Sequence, residues 1–272
     1  MELWDVRRLS GAPPLLRSAV GYQVTGAAPG THLGIPSPTV TLVVDLGPGL
    51  DLEGPGLAGR TRFRVCLGGL HHEPYRIVHD GSQIGVQLEL TPDGVRSLFG
   101  LPVAELSSQA VELADLAPEF SRELIDRVSL AAVADRASQA RQTVARHLGH
   151  DDDRRRGAQP DAAAAWRRIV ETGGRISVTE LTERSGWSTR YLTTRFTAEY
   201  GMGPKQAARL VRFDGALTAL RGGAPAADVA ARHGYADQAH LSRDVRAFLG
   251  MSPSEFLTQL AGEFTPATAS VR

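Results

Sequence analysis

One phrase occurs twice in the last 100 residues of this chain, and the repetition restricts the folds open to it. Residues 178–204 are VTELTERSGWSTRYLTTRFTAEYGMGP, and residues 226–256 are AADVAARHGYADQAHLSRDVRAFLGMSPSEF. Gly186 aligns with Gly234, each followed by an aromatic residue, and the closing GMGP aligns with GMSP. Each copy therefore predicts a short helix, a tight turn at the glycine and a longer helix, which is a helix-turn-helix unit.

Local start and stop signals delimit the helices of both copies. Ser177 and Glu180 match a capping box, and Asp161 is expected to cap the helix before it. The remaining predicted starts are Ser188, Pro204, Pro225 and Asp237, and the predicted stops are Gly186, Gly201, Gly234 and Gly250. No strand is predicted after Asp161, so the C-terminal part is expected to be all-α.

Two copies of a helical pair favour DNA binding over a structural repeat. A solenoid needs three or more repeats, and here a long helix over about 204–221 separates the only two. At 1.5 Å per residue that helix spans roughly 25 Å. Together with the flanking units, it can place two recognition helices about 34 Å apart, which is one turn of DNA.

The two quoted segments resemble the DNA-binding domain of AraC/XylS-family transcription regulators over about 110 residues. The resemblance implies a regulator that binds double-stranded DNA without a cofactor or metal, and it names RNA polymerase as a further partner of an activator. Val245 occupies a position that the family usually fills with Phe, and Phe248 is expected to compensate.

The helical spacing and the resemblance together define a set of candidate DNA-binding residues. Leu192 and Phe196 form the inner face of the first recognition helix, and Leu241 and Val245 form that of the second. The outward positions that match base-contacting positions of the family are Arg190, Thr193, Thr194, Gln238, Ala239 and Arg243. Candidate phosphate contacts are Arg184, Arg195, Lys205, Arg232 and Arg246. For both sets the alternative is an ordinary solvated surface, since any helix needs a polar outer face.

The first part of the chain predicts β structure. Over residues 20–90, short stretches rich in Val, Ile and Leu alternate with Gly, Pro and Asp, as in a small sandwich or barrel. Thr91 and Gly100 delimit a helix, and residues 105–149 have helical spacing with a break near Pro118. The fold class is therefore α+β with two domains, a β-rich front domain with trailing helices and an all-α rear domain.

The predicted boundaries follow changes in composition. Residues 1–149 form the front domain, and the polar, charged stretch 150–160 is the linker. Residues 161–262 form the DNA-binding domain, and 263–272 form a tail. Residues 32–47, HLGIPSPTVTLVVDLG, and 81–106, GSQIGVQLELTPDGVRSLFGLPVAEL, resemble the front domain of an AraC-like subgroup. The resemblance covers about residues 15–130 and implies a sensing role or a dimerising role.

Other side-chain patterns in the front domain give weaker indications of function. His71, His72 and Glu73 suggest a metal site, but neighbours on a strand point to opposite faces and do not ligate one ion. Cys66 lies in an apolar stretch and is predicted to be a small buried residue. Two rival functions stay open: an enzyme tethered to DNA by its rear domain, and an architectural DNA binder without effector. The sequence contains no nucleophile–base pair or phosphate loop, so we predict that the protein is not an enzyme.

Composition fits an intracellular regulator. The net charge is zero, which argues against a nonspecific polyanion binder, and one cysteine suits a reducing cytoplasm. Neither a membrane-spanning run nor a secretory signal is apparent, so the expected location is cytoplasmic, with no membrane partner.

Overall fold

A computed structural model describes the backbone of residues 3–9, 15–148 and 160–262, and most side chains of the two longer ranges. The predicted linker residues 150–159 and the predicted tail 263–272 lie outside the described residues. The ten strands of the described part are β1 (Leu3–Leu9), β2 (Leu16–Thr25), β3 (Gly30–Gly34), β4 (Val40–Asp45), β5 (Leu50–Glu53), β6 (Arg62–Phe63), β7 (Val65–Gly68), β8 (Tyr75–His79), β9 (Gln83–Leu90) and β10 (Ala110–Glu112).

These strands form two antiparallel sheets that face each other. The larger has the order β1-β2-β9-β4-β7-β10, and the smaller has the order β3-β8-β5-β6. Val43, Cys66 and Ala110 of the larger sheet pack in one buried cluster with Leu52 and Tyr75 of the smaller. The fold class predicted for the front half, a small β-sandwich followed by helices, is therefore confirmed.

Helices cover the other face of the larger sheet. The front half contains α1 (Pro92–Phe99), a 3₁₀ helix (Val103–Leu106), α2 (Leu113–Leu116), α3 (Pro118–Ser129) and α4 (Val133–Leu148). Along β4, Leu42 and Val44 belong to the buried cluster shared with these helices, whereas Val43 belongs to the cluster between the sheets. This division follows the period of two that makes successive strand side chains point to opposite faces.

The rear half is all-α in its described residues. It contains α5 (Pro160–Glu171), α6 (Val178–Ser185), α7 (Thr189–Tyr200), α8 (Pro204–Arg221), α9 (Ala226–Arg232), α10 (Gln238–Leu249) and α11 (Pro253–Gly262). The capping box of Ser177 and Glu180 is present, and Ser188 and Asp237 each cap their helix through the side chain. Gly201 and Gly250 end α7 and α10 with φ of 71° and 75°, a left-handed conformation that favours glycine.

Three local predictions were wrong. Residues 110–112 form strand β10, paired with β7, although the segment around them has helical spacing, because pairing with a sheet edge overrides local pattern. The β structure begins at Leu3 rather than near residue 20, and β1 pairs along the length of β2. Pro160 rather than Asp161 starts α5, so Asp161 lies in the first turn and Pro160 belongs to the helix rather than to the linker.

The front and rear halves share one buried contact between opposite charges. Nε and Nη2 of Arg96 on α1 donate hydrogen bonds to the two carboxylate oxygens of Glu199 on α7, at 2.8 and 2.6 Å. Both side chains are less than a tenth exposed. Nearby, a Cβ atom at Gly201 would lie 2.4 Å from Cβ of Ser107, so the backbone after α7 approaches the front half as closely as glycine permits.

We expect Glu199→Gln to lower the free energy of unfolding by about 3–5 kcal/mol, because it leaves the guanidinium of Arg96 buried without a counter-charge. Urea denaturation followed by tryptophan fluorescence measures this, since Trp166 stacks on Tyr200 beside the ion pair. Glu171→Gln, which removes the exposed ion pair with Arg168, is the control and should cost less than about 1 kcal/mol. Equal small losses in both variants would show that the buried pair contributes no more than a surface one.

Candidate nucleic-acid interface

The first recognition helix, α7, has one buried face and one outer face. Leu192 and Phe196 are buried, and Phe196 packs in a row of rings with Trp166 and Tyr200. Arg190 and Thr194 are exposed, and Thr193 is half-buried. The hydroxyl of Thr194 donates to the carbonyl oxygen of Arg190 at 3.0 Å, which leaves its methyl group and the acceptor lone pairs of its oxygen for other contacts.

The second recognition helix, α10, repeats this division. Leu241 and Val245 are fully buried, while Gln238, Ala239 and Arg243 are exposed. Nε of Arg243 donates to the carbonyl oxygen of Ala239 at 3.3 Å, which holds the base of this long side chain along the helix surface. The candidate base-contacting residues of both helices thus lie in or next to their N-terminal halves, the ends that enter the major groove in helix-turn-helix proteins.

The candidate phosphate contacts lie around these two helices. Arg195 on α7, Lys205 at the start of α8, Arg232 at the end of α9 and Arg246 on α10 are all exposed. Arg195 is held over the ring of Tyr191, at 5.4 Å from its centroid, and donates to its hydroxyl at 3.2 Å. Arg184 lies in the last turn of α6, and its side chain is outside the described ones.

The spacer helix α8 is fixed to the second unit by charge and ring contacts. Nε of Arg209 on α8 donates to the buried carboxylate of Asp244 on α10 at 2.8 Å. Arg212 lies over the ring of Tyr235 at 5.1 Å from its centroid. These contacts join α8 to α10 and to the turn that precedes it. At 1.5 Å per residue, the 18 residues of α8 span about 27 Å. This length is close to the roughly 25 Å expected for the helix from the sequence.

Val245 is fully buried in the second unit. Phe248, one turn later, is buried and stacks on Phe213 of α8 with ring centroids 4.4 Å apart, and Arg209 lies over the same ring. Phe248 therefore supplies the aromatic packing that the unusual valine does not, as expected from the sequence.

One exposed aromatic side chain on α7 was not among the sequence candidates. Tyr191 is 43% exposed, and its ring meets that of Trp187 at 4.5 Å in an edge-to-face arrangement. The sequence could have indicated this residue, because Tyr191 lies between Arg190 and the buried Leu192. An aromatic residue beside an outward-facing position is unusual on a solvated face.

A cavity of about 410 Å³ lies between the two sheets and reaches α8. Its existence was not predicted, since its walls come from eight strands and one distant helix. His71 lines this cavity, whereas the ring of His72 lies 6.3 Å from that of Phe248 in the rear half. The two residues contact different parts of the molecule, although they lie in the loop between β7 and β8 and not on a strand as the sequence argument assumed. Cys66 is buried in the cavity wall, and burial raises the pKa of its thiol.

Burial keeps the imidazoles of this cavity uncharged. It lowers the pKa of His32 to about 4, and His79, whose ring centroid is 5.6 Å away, acts in the same direction. Burial also lowers the pKa of His71, against an opposing hydrogen bond between its Nδ1 and the carbonyl oxygen of Gly69 at 2.8 Å. Near neutral pH both side chains are neutral hydrogen-bonding groups.

Comparison with known proteins agrees with this geometry. The model of the helix-turn-helix domain family matches residues 181–259, which contain both units from the first short helix to α11. No curated protein sequence gave a significant match. Among solved structures, ToxT from Vibrio cholerae is similar at 10% identity and a TM-score of 0.51, over 96% of this chain and 99% of that one.

Two further solved structures are similar over smaller parts. The C-terminal domain of AraT, a response regulator from Geobacillus stearothermophilus, is 21% identical over 38% of this chain and 88% of that one, with a TM-score of 0.36. The AraC-like transcriptional activator CuxR is 13% identical over 76% of this chain and 84% of that one, with a TM-score of 0.31.

The likeness to ToxT shows a common fold over nearly the whole chain, a β-rich front domain followed by a helical rear domain. The domain match agrees with the resemblance given by the repeated segments, because residues 181–259 match a helix-turn-helix domain family. The rear half therefore contains a helix-turn-helix domain, a unit that places its second helix in the major groove of DNA in DNA-binding proteins. No described helix has both the length and the apolar character needed to cross a membrane.

We expect Arg243→Ala to relax base preference at one operator position by about 1–3 kcal/mol, because an arginine on the outer face of α10 is suited to a bidentate contact with guanine. Fluorescence anisotropy with a set of single-base operator variants measures this. Arg122→Ala, which removes an exposed arginine of α3 in the front half, is the control and should leave the preference unchanged. A uniform loss of affinity on all sequences would mean that Arg243 contacts phosphate alone.

We expect the stability of the protein to fall between about pH 6.5 and pH 4. The unfolded chain binds a proton at His32 near pH 6.5, whereas the folded protein binds it near pH 4, so stability present above pH 6.5 is lost as the pH falls. His32 contributes up to about 3 kcal/mol of that loss. Urea denaturation at several pH values should give a flatter profile for His32→Gln than for the unaltered protein. Identical profiles would show that His32 is not held neutral by the fold.

Proposed function

We propose that this protein is a sequence-specific transcription regulator of the cytoplasm that binds two successive major grooves of an operator with α7 and α10. Arg190, Thr193 and Thr194 contact bases in one groove. Gln238, Ala239 and Arg243 contact bases in the other. Arg184, Arg195, Lys205, Arg232 and Arg246 contact the phosphate backbone and set the register of the protein on the duplex.

One observation carries this proposal: two helices of the same kind, each opened by a side-chain cap, leave their candidate base contacts accessible while a single 18-residue helix separates them. If the candidate positions of either helix were packed against the front half, that helix would have to detach before it could bind. Instead, it is the C-terminal end of α7, at Glu199 and Tyr200, that is buried. The contact with the front half is thus compatible with DNA binding.

Charge supports a specific rather than a general affinity for DNA. The chain has 30 basic and 30 acidic residues, so the overall field does not attract a polyanion. Affinity must then come from the local cations around α7 and α10 and from base contacts. We infer a moderate dependence of binding on salt, with few phosphate contacts compared with a strongly basic protein.

The front half controls this binding in our proposal, through a small-molecule effector, through dimerisation or through both. The cavity between the sheets supports effector control over a purely architectural role, because a front domain that only supports the rear one needs no space inside it. An activator of this kind would also contact RNA polymerase.

Selection of binding sites from a random DNA library with the full-length protein tests the proposal. We expect two conserved blocks whose centres are about 10 base pairs apart, because one helical turn separates successive major grooves on one face. Five base pairs inserted between the blocks should reduce affinity to that of a single block. The rigid α8 cannot follow a half-turn rotation of one block, so we expect no recovery by bending of the protein.

Variants of the two helices identify which block each one contacts. Arg190→Ala should weaken selection in one block alone, and Arg243→Ala in the other alone. Arg122→Ala, with the same loss of charge in the front half, should change neither block. A single conserved block, or one block affected by both variants, would refute binding by two recognition helices.

A further inference from the structure

The cavity between the sheets combines an apolar wall with buried polar atoms that have no partner. Its apolar lining includes Ile35, Val43, Leu50, Leu52, Ile77 and Leu217. Within the described part of the chain, Nδ1 of His32, Nε2 of His71 and the hydroxyl of Tyr75 are fully buried and make no hydrogen bond. His32 is 2% exposed and Tyr75 is 5% exposed, and both line this cavity.

Unpartnered buried polar atoms are costly, so three of them in one cavity require an explanation. Each such group forfeits about 1–3 kcal/mol of hydrogen bonding that water would supply to it in the unfolded chain. Polar groups with a purely structural role would be expected to form hydrogen bonds with each other or with the backbone. Here they line an open space of about 410 Å³, a volume in the range of small-molecule sites.

We propose that this cavity binds an uncharged, largely apolar small molecule that carries a hydroxyl or carbonyl group, with His32 and Tyr75 as its hydrogen-bonding partners. The site itself does not depend on DNA, whereas its regulatory role rests on the function proposed above. Tyr75 offers a donor and an acceptor, and the free nitrogen of His32 offers one or the other according to its tautomer.

The charges around the cavity argue against an ionic ligand. The lining contains two cations, Arg17 and Arg221, and two anions, Glu89 and Asp214, so they balance. Arg17 already donates to Asp214 at 2.7 Å and lies 3.9 Å from Glu89. An anionic ligand would have to compete with these carboxylates for the arginine, and it would lose its own hydration on entry. Burial lowers the pKa of both His32 and His71, so neither imidazole adds positive charge inside near neutral pH.

One wall of the cavity connects such a ligand to the DNA-binding helices. Asp214, Leu217, Thr218 and Arg221 lie at successive turns on one face of α8 and all contribute to the lining. The same helix separates the two recognition helices and is joined to α10 through Arg209 and Asp244. A molecule that binds more tightly when α8 is seated on the front half therefore favours that arrangement of the two units, and only this difference in affinity shifts the equilibrium.

Binding of two probes that differ by one charge tests the inference with full-length protein and without DNA. N-phenyl-1-naphthylamine is uncharged, and 8-anilino-1-naphthalenesulfonate has the same ring skeleton with a sulfonate. We expect saturable binding of one uncharged probe per chain, with the sulfonate more than about tenfold weaker because its charge must be desolvated. Equal or tighter binding of the sulfonate, or no saturable binding of the uncharged probe, would overturn the proposal.

Displacement of the uncharged probe by three biphenyls tests the polar contact. We expect 4-phenylphenol to compete better than 4-methylbiphenyl, and biphenyl-4-carboxylate to compete least. Tyr75→Phe should remove the advantage of the hydroxyl, roughly two- to tenfold, and leave 4-methylbiphenyl unchanged. Tyr191→Phe, the same change on exposed α7, should leave all three unchanged.

A variant that fills the cavity locates the probe. Leu52→Trp should abolish probe binding while the thermal transition shows a folded protein. If Leu52→Trp does not fold, Tyr75→Phe still tests whether the ligand binds in this cavity, because it removes one oxygen atom and keeps the ring. Equal effects of Tyr75→Phe on the hydroxyl and methyl biphenyls would place the ligand elsewhere and refute the site. None of these binding experiments contains DNA. If the operator selection failed, the results on the cavity would therefore still be valid.

Discussion

The ion pair between Arg96 and Glu199 is the contact on which the arrangement of the two halves depends. Two charges removed from water are stable only when both carboxylate oxygens and the guanidinium nitrogens that face them are paired, so small displacements are costly. It fixes the last turn of α7 to α1, next to the close approach of Gly201 and Ser107. The first recognition helix is thereby held at its C-terminal end, and its N-terminal end stays accessible.

The long helix α8 joins the other functional parts. Through Asp214 it meets Arg17 at the edge of the cavity, and through Arg209 it meets Asp244 on the second recognition helix. A small molecule inside the sandwich, the seating of α8 and the relative placement of the two DNA-binding units are therefore mechanically connected. The regulation proposed above would need no pathway of individual residues between the two sites, because one helix contacts both the cavity and the second unit.

Much of the rear half could be predicted from the sequence, since its signals are local. The caps at Ser177, Ser188 and Asp237 act within one helical turn, and Leu192 and Phe196 reveal the buried face of α7 by spacing alone. The structure of the front half was harder to predict from local signals. Strand β10 lies in a segment with helical spacing, and only the free edge of β7 makes it a strand. The predicted domain boundaries and DNA contacts remain predictions, while the exposed Tyr191 was overlooked.

What the sequence by itself determined is the repeated helix-turn-helix unit, its caps and turns, and the side of each recognition helix that faces outward. Those properties depend on residues a few positions apart, whose interactions the chain order already fixes. Only the tertiary structure decided that Arg96 meets Glu199 and that His32, Tyr75 and the inner face of α8 enclose one cavity. Such contacts join residues far apart in the chain, and their partners are chosen by how sheets and helices pack, which no local pattern records.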